Sequence, residues 1–308
     1  MKKKTLVIAT RESPLALWQA TWVKTQLEKN HPKLAVTLLG VTTSADQLLS
    51  MPLYKVGGKG LFVKELEEAL FDGRADIAVH SMKDVPMVLP EGLCIGALSE
   101  REDPRDAFVS NHYSSARDLP EKAMVGTSSL RRQSQLLASQ PQLETHFLRG
   151  NIQTRLSKLD EGQYAAIILA AAGLKRLGLS DRIRSFMTLD EMLPAAGQGV
   201  LGIECRVDDQ ETLERIAPLN DGRTRSCVLA ERAMCRHLGG GCHVPIAAYA
   251  EWQDDQLRLR GLVANPRGTV LLRAELTGSA LAPDTLGVAV AEELVRQGAR
   301  PLLDAIDA

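Results

Sequence analysis

Neither sign of charge prevails in this sequence: 37 Lys and Arg stand against 38 Asp and Glu, a formal net charge of −1. That excludes a general nucleic-acid-binding or membrane-adhering surface, because both need a basic field. Long apolar runs are missing too. No stretch approaches the roughly 20 residues of a membrane span. After Lys2, Lys3 and Lys4 the apolar run Leu6–Ala9 ends at Arg11 and Glu12, too short for a signal-peptide core. Cysteine is sparse, with five residues and no Cys-x-x-Cys pair, which excludes a disulfide framework and fits free thiols in a reducing compartment. The expectation is a cytoplasmic protein. What is present is ordinary globular material, 44% hydrophobic and 24% charged over 308 residues, enough for two or three domains.

The stretch Ala75–Pro86, ADIAVHSMKDVP, organises the rest. Ile77, Ala78 and Val79 read as a buried parallel strand, which breaks into His80, Ser81, Lys83 and Asp84 before Pro86 forbids regular pairing. A carboxylate thus stands at the carboxyl end of a strand, where open α/β sheets bind ligands, and Asp84 with Lys83 and Ser81 is the first candidate for chemistry. The alternative is an Asp that merely starts a turn ahead of a proline. Upstream, Thr5–Ala9 reads as a strand. Ser13 and Pro14 supply the N-cap and first position of a helix running to about Asn30, and Leu34–Val41 is a second strand. Residues 42–60, with Lys55 and Lys59, read as a mobile loop over the site. They resemble a phosphate loop only superficially, since Gly60 and Leu61 follow Lys59 where Ser or Thr is needed. Leu61–Phe71 is an amphipathic helix expected to bury Leu61, Phe62, Leu66, Ala69 and Leu70. Strand and helix alternate, as in a doubly wound sheet.

From about Glu100 the pattern begins again. Met124-Val125 ends a strand, Gly126-Thr127-Ser128-Ser129 turns, and Leu130–Gln140 is a helix with Arg131 and Arg132 in its first turn. Phe147-Leu148 ends another strand, Arg149-Gly150 turns, and Asn151 caps a helix carrying Arg155. Ala165–Leu169 is followed by a small-residue turn, Ala170–Gly173, and a helix with Lys175 and Arg176. Helix N-termini attract anions, whereas arginine near a helix start opposes the macrodipole. Its repetition there points to anion recognition, planar carboxylates or phosphates gripped bidentately. The alternative is a solvated basic face. Gly197, Gly199 and Gly202 match the dinucleotide fingerprint by letter, but Pro194 stands where a strand should be and a strand follows where a helix should begin. The stretch reads instead as a crossing that returns the chain to the first sheet through Val200–Arg206. The last third is a small α+β domain: helix Arg225–His237, strands Ile246–Ala250, Gln256–Ala264 and Thr269–Leu276, and helix Leu286–Gln297 ended by Gly298. Three glycines and a proline strip the bulk from around Cys242. A zinc site from Cys227, Cys235, His237, Cys242 and His243 would lack any close cysteine pair and would place two ligands inside a helix.

Taken together, these stretches resemble one family. Ala9-Thr-Arg-Glu-Ser-Pro-Leu-Ala-Leu17, Lys55-Val-Gly-Gly-Lys-Gly-Leu-Phe62, Ala78-Val-His-Ser-Met-Lys-Asp-Val-Pro86, Glu100-Arg-Glu-Asp-Pro-Arg-Asp106, Gly126-Thr-Ser-Ser-Leu-Arg-Arg132, Leu148-Arg-Gly-Asn151, Leu193–Gly199 and Gly240-Gly-Cys242 are similar, in this order, to the porphobilinogen deaminase family. The resemblance implies an α/β fold of two doubly wound domains like those of bilobed binding proteins, spanning 1–99 with 200–217, and 100–199. A small α+β domain with a three-stranded antiparallel sheet follows over 218–308. It implies a dipyrromethane cofactor thioether-linked to Cys242 and lying in the cleft between the first two domains, and a transferase that adds four porphobilinogen units head to tail before water releases hydroxymethylbilane. It makes Asp84 the catalytic carboxylate. Ser81, Lys83, Thr127, Ser129, Arg131, Arg132, Arg155 and Gln198 become cofactor contacts, and Arg11, Ser13, Lys55, Lys59, Arg149 and Arg176 substrate contacts. It implies a monomer with a small-molecule substrate and neither a nucleic-acid nor a membrane partner. The chain departs from the family pattern at Thr43-Ser44-Ala45-Asp46, where a basic residue and a glycine usually precede the aspartate, and at Gly239 and His243 beside the cysteine.

Overall fold

Strand β1 (Thr5–Arg11) pairs in parallel with β2 (Ala35–Val41) over its whole length, from Thr5 opposite Ala35 to Arg11 opposite Val41. The computed structural model that shows this describes residues 4–43, 63–240 and 244–307. They divide into two compact units: one of 4–43, 63–102 and 200–225, the other of 103–199 and 226–307.

In the first unit, helix α1 (Pro14–Asn30) joins β1 to β2. It starts where the sequence places it, because Ser13 Oγ accepts the Ala16 N–H and Pro14 needs no donor at the first helical position. Helix α2 (Lys64–Phe71) leads to β3 (Ile77–Ser81), and β4 (Leu93–Leu98) closes the sheet edge. Both sheet faces are covered. Leu6, Ile8, Ile77 and Val79 pack on one side with Val23 and Leu27 of α1, while Ala9 and Ala78 pack on the other with Leu66, Ala69 and Leu70 of α2. Burial on both faces explains why these strands read as unbroken apolar runs. The expected helix from Leu61 begins at Lys64, and Leu61 and Phe62 lie outside the described residues.

The second unit repeats the plan. Its strands are β5 (Asp106–Val109), β6 (Met124–Gly126), β7 (Glu144–His146), β8 (Ala166–Ala170) and β9 (Ser185–Phe186), with helices α3 (Leu130–Ser139), α4 (Ile152–Asp160) and α5 (Ala171–Arg176) between them. Strand β10 (Leu201–Arg206) then returns to the first sheet. The orders correspond: β2-β1-β3-β10-β4 in the first unit and β7-β6-β8-β5-β9 in the second. In each, the fourth position is held by an antiparallel strand, β10 against β3 and β4, β5 against β8 and β9. The sheets are therefore doubly wound with one reversed strand, and in both units that strand is the one delivered by the crossing.

Two local expectations are corrected. The small-residue stretch Ala170–Gly173 is mostly helix, since α5 starts at Ala171 directly after β8, as alanine's helical preference allows. Phe147-Leu148 lies beyond the end of β7.

After α6 (Gln210–Ile216) and α7 (Gly222–His237), an antiparallel meander of β11 (Ile246–Gln253), β12 (Gln256–Ala264) and β13 (Leu271–Ser279) is followed by α8 (Pro283–Arg296) and α9 (Ala299–Asp307). This sheet is tied to the glycine-rich crossing within the second unit. Glu231 is fully buried, and its two carboxylate oxygens accept the N–H groups of Gly197 at 2.7 Å and Ala250 at 2.8 Å. Gly197 and Gly199 have φ of +72° and +89°, so those glycines serve left-handed turns.

Phe108 of β5 is the bulkiest of the fully buried side chains. Phe108→Ala should lower the unfolding free energy by about 3–5 kcal/mol, read from the denaturant midpoint. A loss below about 1 kcal/mol would show that β5 is not a core strand.

Candidate functional site

In the first unit β3 carries His80 and Ser81 to its carboxyl edge. A single helical turn, Met82–Asp84, then ends regular pairing. Met82 anchors that turn: its side chain is buried, its N–H donates to Val200 O at 2.9 Å, and its carbonyl accepts the Val85 N–H. Lys83 and Asp84 are left half-buried at the rim. Asp84 lines a recess of about 80 Å³ together with Arg11, Ser13, Gln19, His80 and Ser81. Four of the residues singled out in the sequence, Arg11, Ser13, Ser81 and Asp84, are thus gathered at the ends of β1 and β3 and the start of α1. The helix start adds N–H groups that favour an anion there. Gln19, not anticipated, is buried and donates from Nε2 to Ser81 Oγ at 2.9 Å.

At the recess His80 is joined to a buried acid that sequence reasoning passed over. His80 Nε2 lies 2.8 Å from Glu204 Oε2, both side chains being 4% exposed or less. Glu67 of α2 is also buried, and burial first, then the negative charge of Glu204, push its carboxyl up to about 7, against an opposing contribution from His80. An acid flanked by Ile203 and Cys205 in an apolar strand was the available signal.

In the second unit the arginines divide. Arg131 and Arg132 of α3 are buried and close on Asp106, the first residue of β5, which is fully buried. Arg131 Nη1 stands 2.8 Å from Asp106 Oδ2, Arg132 Nη2 stands 2.7 Å from Oδ1, and Gln198 Nε2 donates to Oδ1 at 3.1 Å. Burial opposes ionisation of Asp106, but the two guanidiniums outweigh it and hold its carboxyl below the usual carboxylate range. For these two arginines the solvated-face reading fails. Their counter-charge, Asp106, lies 26 residues before Arg132 in the chain, in a different motif. Thr127 and Ser129 stand at the start of α3, where Ser129 Oγ accepts the Arg132 N–H. Arg149 is buried, and Arg155 Nε donates to Gly150 O at 2.8 Å. Arg176 donates to Gly199 O at 2.7 Å and lies at the end of α5, so its charge agrees with the macrodipole and does not oppose it as expected. A main-chain carbonyl helps to fix the direction of a guanidinium. This donor set fits a ligand with several carboxylates.

Lys55, Lys59 and Cys242 lie outside the described residues. Just before Cys242 in the chain, Gly239 has φ +72°, the Gly240 N–H donates to Cys235 O, and a Cβ on Gly240 would meet Ile246 Cδ1, so a side chain there would require that methyl group to move. Among the described residues no three His, Cys, Asp or Glu side chains gather as a metal site, and no helix is long and apolar enough to cross a membrane.

A family model for the porphobilinogen deaminase dipyromethane cofactor binding domain matches residues 6–214, and one for the porphobilinogen deaminase C-terminal domain matches 225–296. The chain belongs to the porphobilinogen deaminase family. Family membership makes it an enzyme with hydroxymethylbilane synthase activity, a transferase of tetrapyrrole biosynthesis that takes porphobilinogen and uses a dipyrromethane cofactor. Similar solved structures include a periplasmic substrate-binding protein of an ABC transporter from Coxiella burnetii, at 13% identity over 72% of this chain and 94% of that chain, TM-score 0.45. The periplasmic aliphatic sulphonate binding protein SsuA from Escherichia coli matches at 14% over 76% and 70%, TM-score 0.41. The periplasmic VFT2 domain of BvgS from Bordetella pertussis matches at 16% over 69% and 85%, TM-score 0.41.

Glu67 sets a pH dependence of stability. Its folded value of about 7 lies above its ordinary 4.5, so between them the native state holds a proton that the unfolded chain releases. The stabilising contribution is complete below about 4.5 and is lost as pH rises through about 7. Glu67→Gln should flatten the stability profile across that window, measured by chemical denaturation at a series of pH values. An unchanged slope would remove Glu67 as its source.

Proposed function

We propose that this chain deaminates four porphobilinogen molecules and joins them head to tail onto a dipyrromethane primer attached to Cys242, after which water releases hydroxymethylbilane. The observation that carries this reading is Asp84, held half-buried at a strand end in a recess that also contains Arg11 and Ser13. Loss of ammonia from porphobilinogen leaves a cationic azafulvene, and a fixed carboxylate beside it stabilises the charge as it develops. At about 4 Å and an effective dielectric near 20, the attraction is about 4 kcal/mol, roughly a thousandfold in rate. Arg11 and Ser13 hold the acetate and propionate of the incoming substrate at the start of α1, with Arg149, Arg176, Lys55 and Lys59 as further carboxylate ligands.

When bound, dipyrromethane supplies the nucleophilic pyrrole carbon to which the first substrate is joined. Ser81, Lys83, Thr127, Ser129, Arg131, Arg132, Arg155 and Gln198 would hold its carboxylates. Asp106 prepares two of them: it fixes the guanidiniums of Arg131 and Arg132 in place, and since it brings one negative charge against two positive ones, the cluster keeps a net attraction for an anion. We read the three parts of the chain, 1–99 with 200–217, 100–199 and 218–308, as separate domains, and the protein as a cytoplasmic monomer.

Asp84→Asn should leave the fold and the bound primer intact and lower turnover by at least a hundredfold, followed as hydroxymethylbilane formation. Turnover within a few-fold of the parent would take Asp84 out of this role. Because so many of the assigned ligands are cationic, KM for porphobilinogen should rise with ionic strength. A KM that is flat between low and high salt would contradict capture by charge.

A further inference from the structure

His80 takes no part in the proposed function, yet it is one of the residues that line the same recess as Asp84. Its Nε2 is committed to Glu204 Oε2 at 2.8 Å, so the ring nitrogen left for a second partner is Nδ1. Glu204 is fully buried, and its other oxygen, Oε1, has no hydrogen-bond partner among the described residues. An unsatisfied buried carboxylate oxygen costs free energy, so stability alone does not account for this pair. A carboxylate spending its one hydrogen bond on an imidazole at a reaction recess is instead the arrangement that orients a proton acceptor and steadies the imidazolium it becomes.

We propose that His80, oriented by Glu204, accepts the proton that each addition releases at the Asp84 site. Each addition breaks the C–N bond of the substrate's aminomethyl group and forms a C–C bond from its methylene to a pyrrole carbon. It then breaks that carbon's C–H bond, whose electron pair returns to the ring. The proton passes to His80 Nδ1, while Nε2–H remains held by Glu204. Ammonia set free in the same cycle takes the proton from Nδ1 and leaves as ammonium, so a substrate that entered as an ammonium ion closes the balance without net proton uptake. Had Asp84 taken the proton itself, it would have lost the charge it holds beside the cation. The charged groups facing His80 are Glu204 from β10, Glu67 from α2, and Arg11 and Asp84 in the recess, while α1 presents the neutral Gln19. Glu67, whose carboxyl burial pushes up to about 7, keeps a second negative charge away from the pair below that pH.

The inference rests on Asp84 marking the reaction site, and two measurements test it. In the purified protein carrying its cofactor, ¹⁵N-histidine NMR, with the His80 signals assigned by their loss in His80→Gln, should show Nε2 protonated and Nδ1 as the accepting nitrogen at pH above neutrality. The opposite tautomer would overturn the proposal whatever the variant does. His80→Gln can still donate an amide hydrogen to Glu204 but cannot take up a proton. It should retain the cofactor mass and the thermal midpoint, lower kcat by at least about a hundredfold, as loss of a general base does, and lose the acidic limb of the kcat profile. A folded His80→Gln within threefold of the parent, with that limb in place, would also overturn it. An active Asp84→Asn would remove the underlying site, whereas an inactive Asp84→Asn beside a normal His80→Gln would remove this inference alone.

Discussion

A sheet buried on both faces leaves charged side chains little room except at the strand ends, and the chemistry assigned to this chain follows from that constraint. In the first unit α1 and α2 cover opposite faces of β1 and β3, so Arg11, Ser81 and Asp84 can meet solvent and ligand only where those strands stop. In the second unit the segments after β6, β7 and β8 bring in Arg131, Arg132, Arg149, Arg155 and Arg176 by the same rule. Glu204, inside β10, is a buried acid away from a strand end, and Asp106 is a buried acid at the start of β5; each is answered by a cationic or protonatable partner. Both lie on the reversed strand of their sheet. The strand that departs from the parallel plan is thus, in each unit, the one that carries a buried charge.

That distribution separates two uses of charge. Arg131 and Arg132 surrender part of their field to Asp106 and gain fixed directions, as a site that must recognise carboxylate geometry requires. Asp84 sits half-buried at a rim, as the proposed role beside a transient cation requires. The fold thus produces one buried cluster in which two guanidiniums share a carboxylate and one half-buried anion, from strand ends that differ in how deeply they are covered.

Much of this was legible in the sequence because it rested on local rules. Ser13-Pro14 and Asn151 set helix starts through capping chemistry, Gly298 marks the end of α8, and the apolar run before His80 fixed β3 and hence the position of Asp84. The matched motifs also located Arg131 and Arg132. What could not be read were pairings across distance. Asp106 belongs to a motif of its own, Glu204 lies in the crossing, and nothing in their neighbours tells that one meets two arginines and the other a histidine more than a hundred residues away. Strands β4 and β5 escaped because each is set among turns. The stretch before Lys175 misled because alanines suit a turn and a helix alike, and only packing against β8 decides.

The central claim is that the reaction is carried on a covalently held primer whose carboxylates these arginines recognise. Intact-protein mass spectrometry of the native chain beside Cys242→Ala tests it most directly. The account predicts the bare-chain mass plus two pyrrole units for the native protein and the bare-chain mass for the variant. An active native protein at bare-chain mass, or an increment that survives in Cys242→Ala, would contradict it.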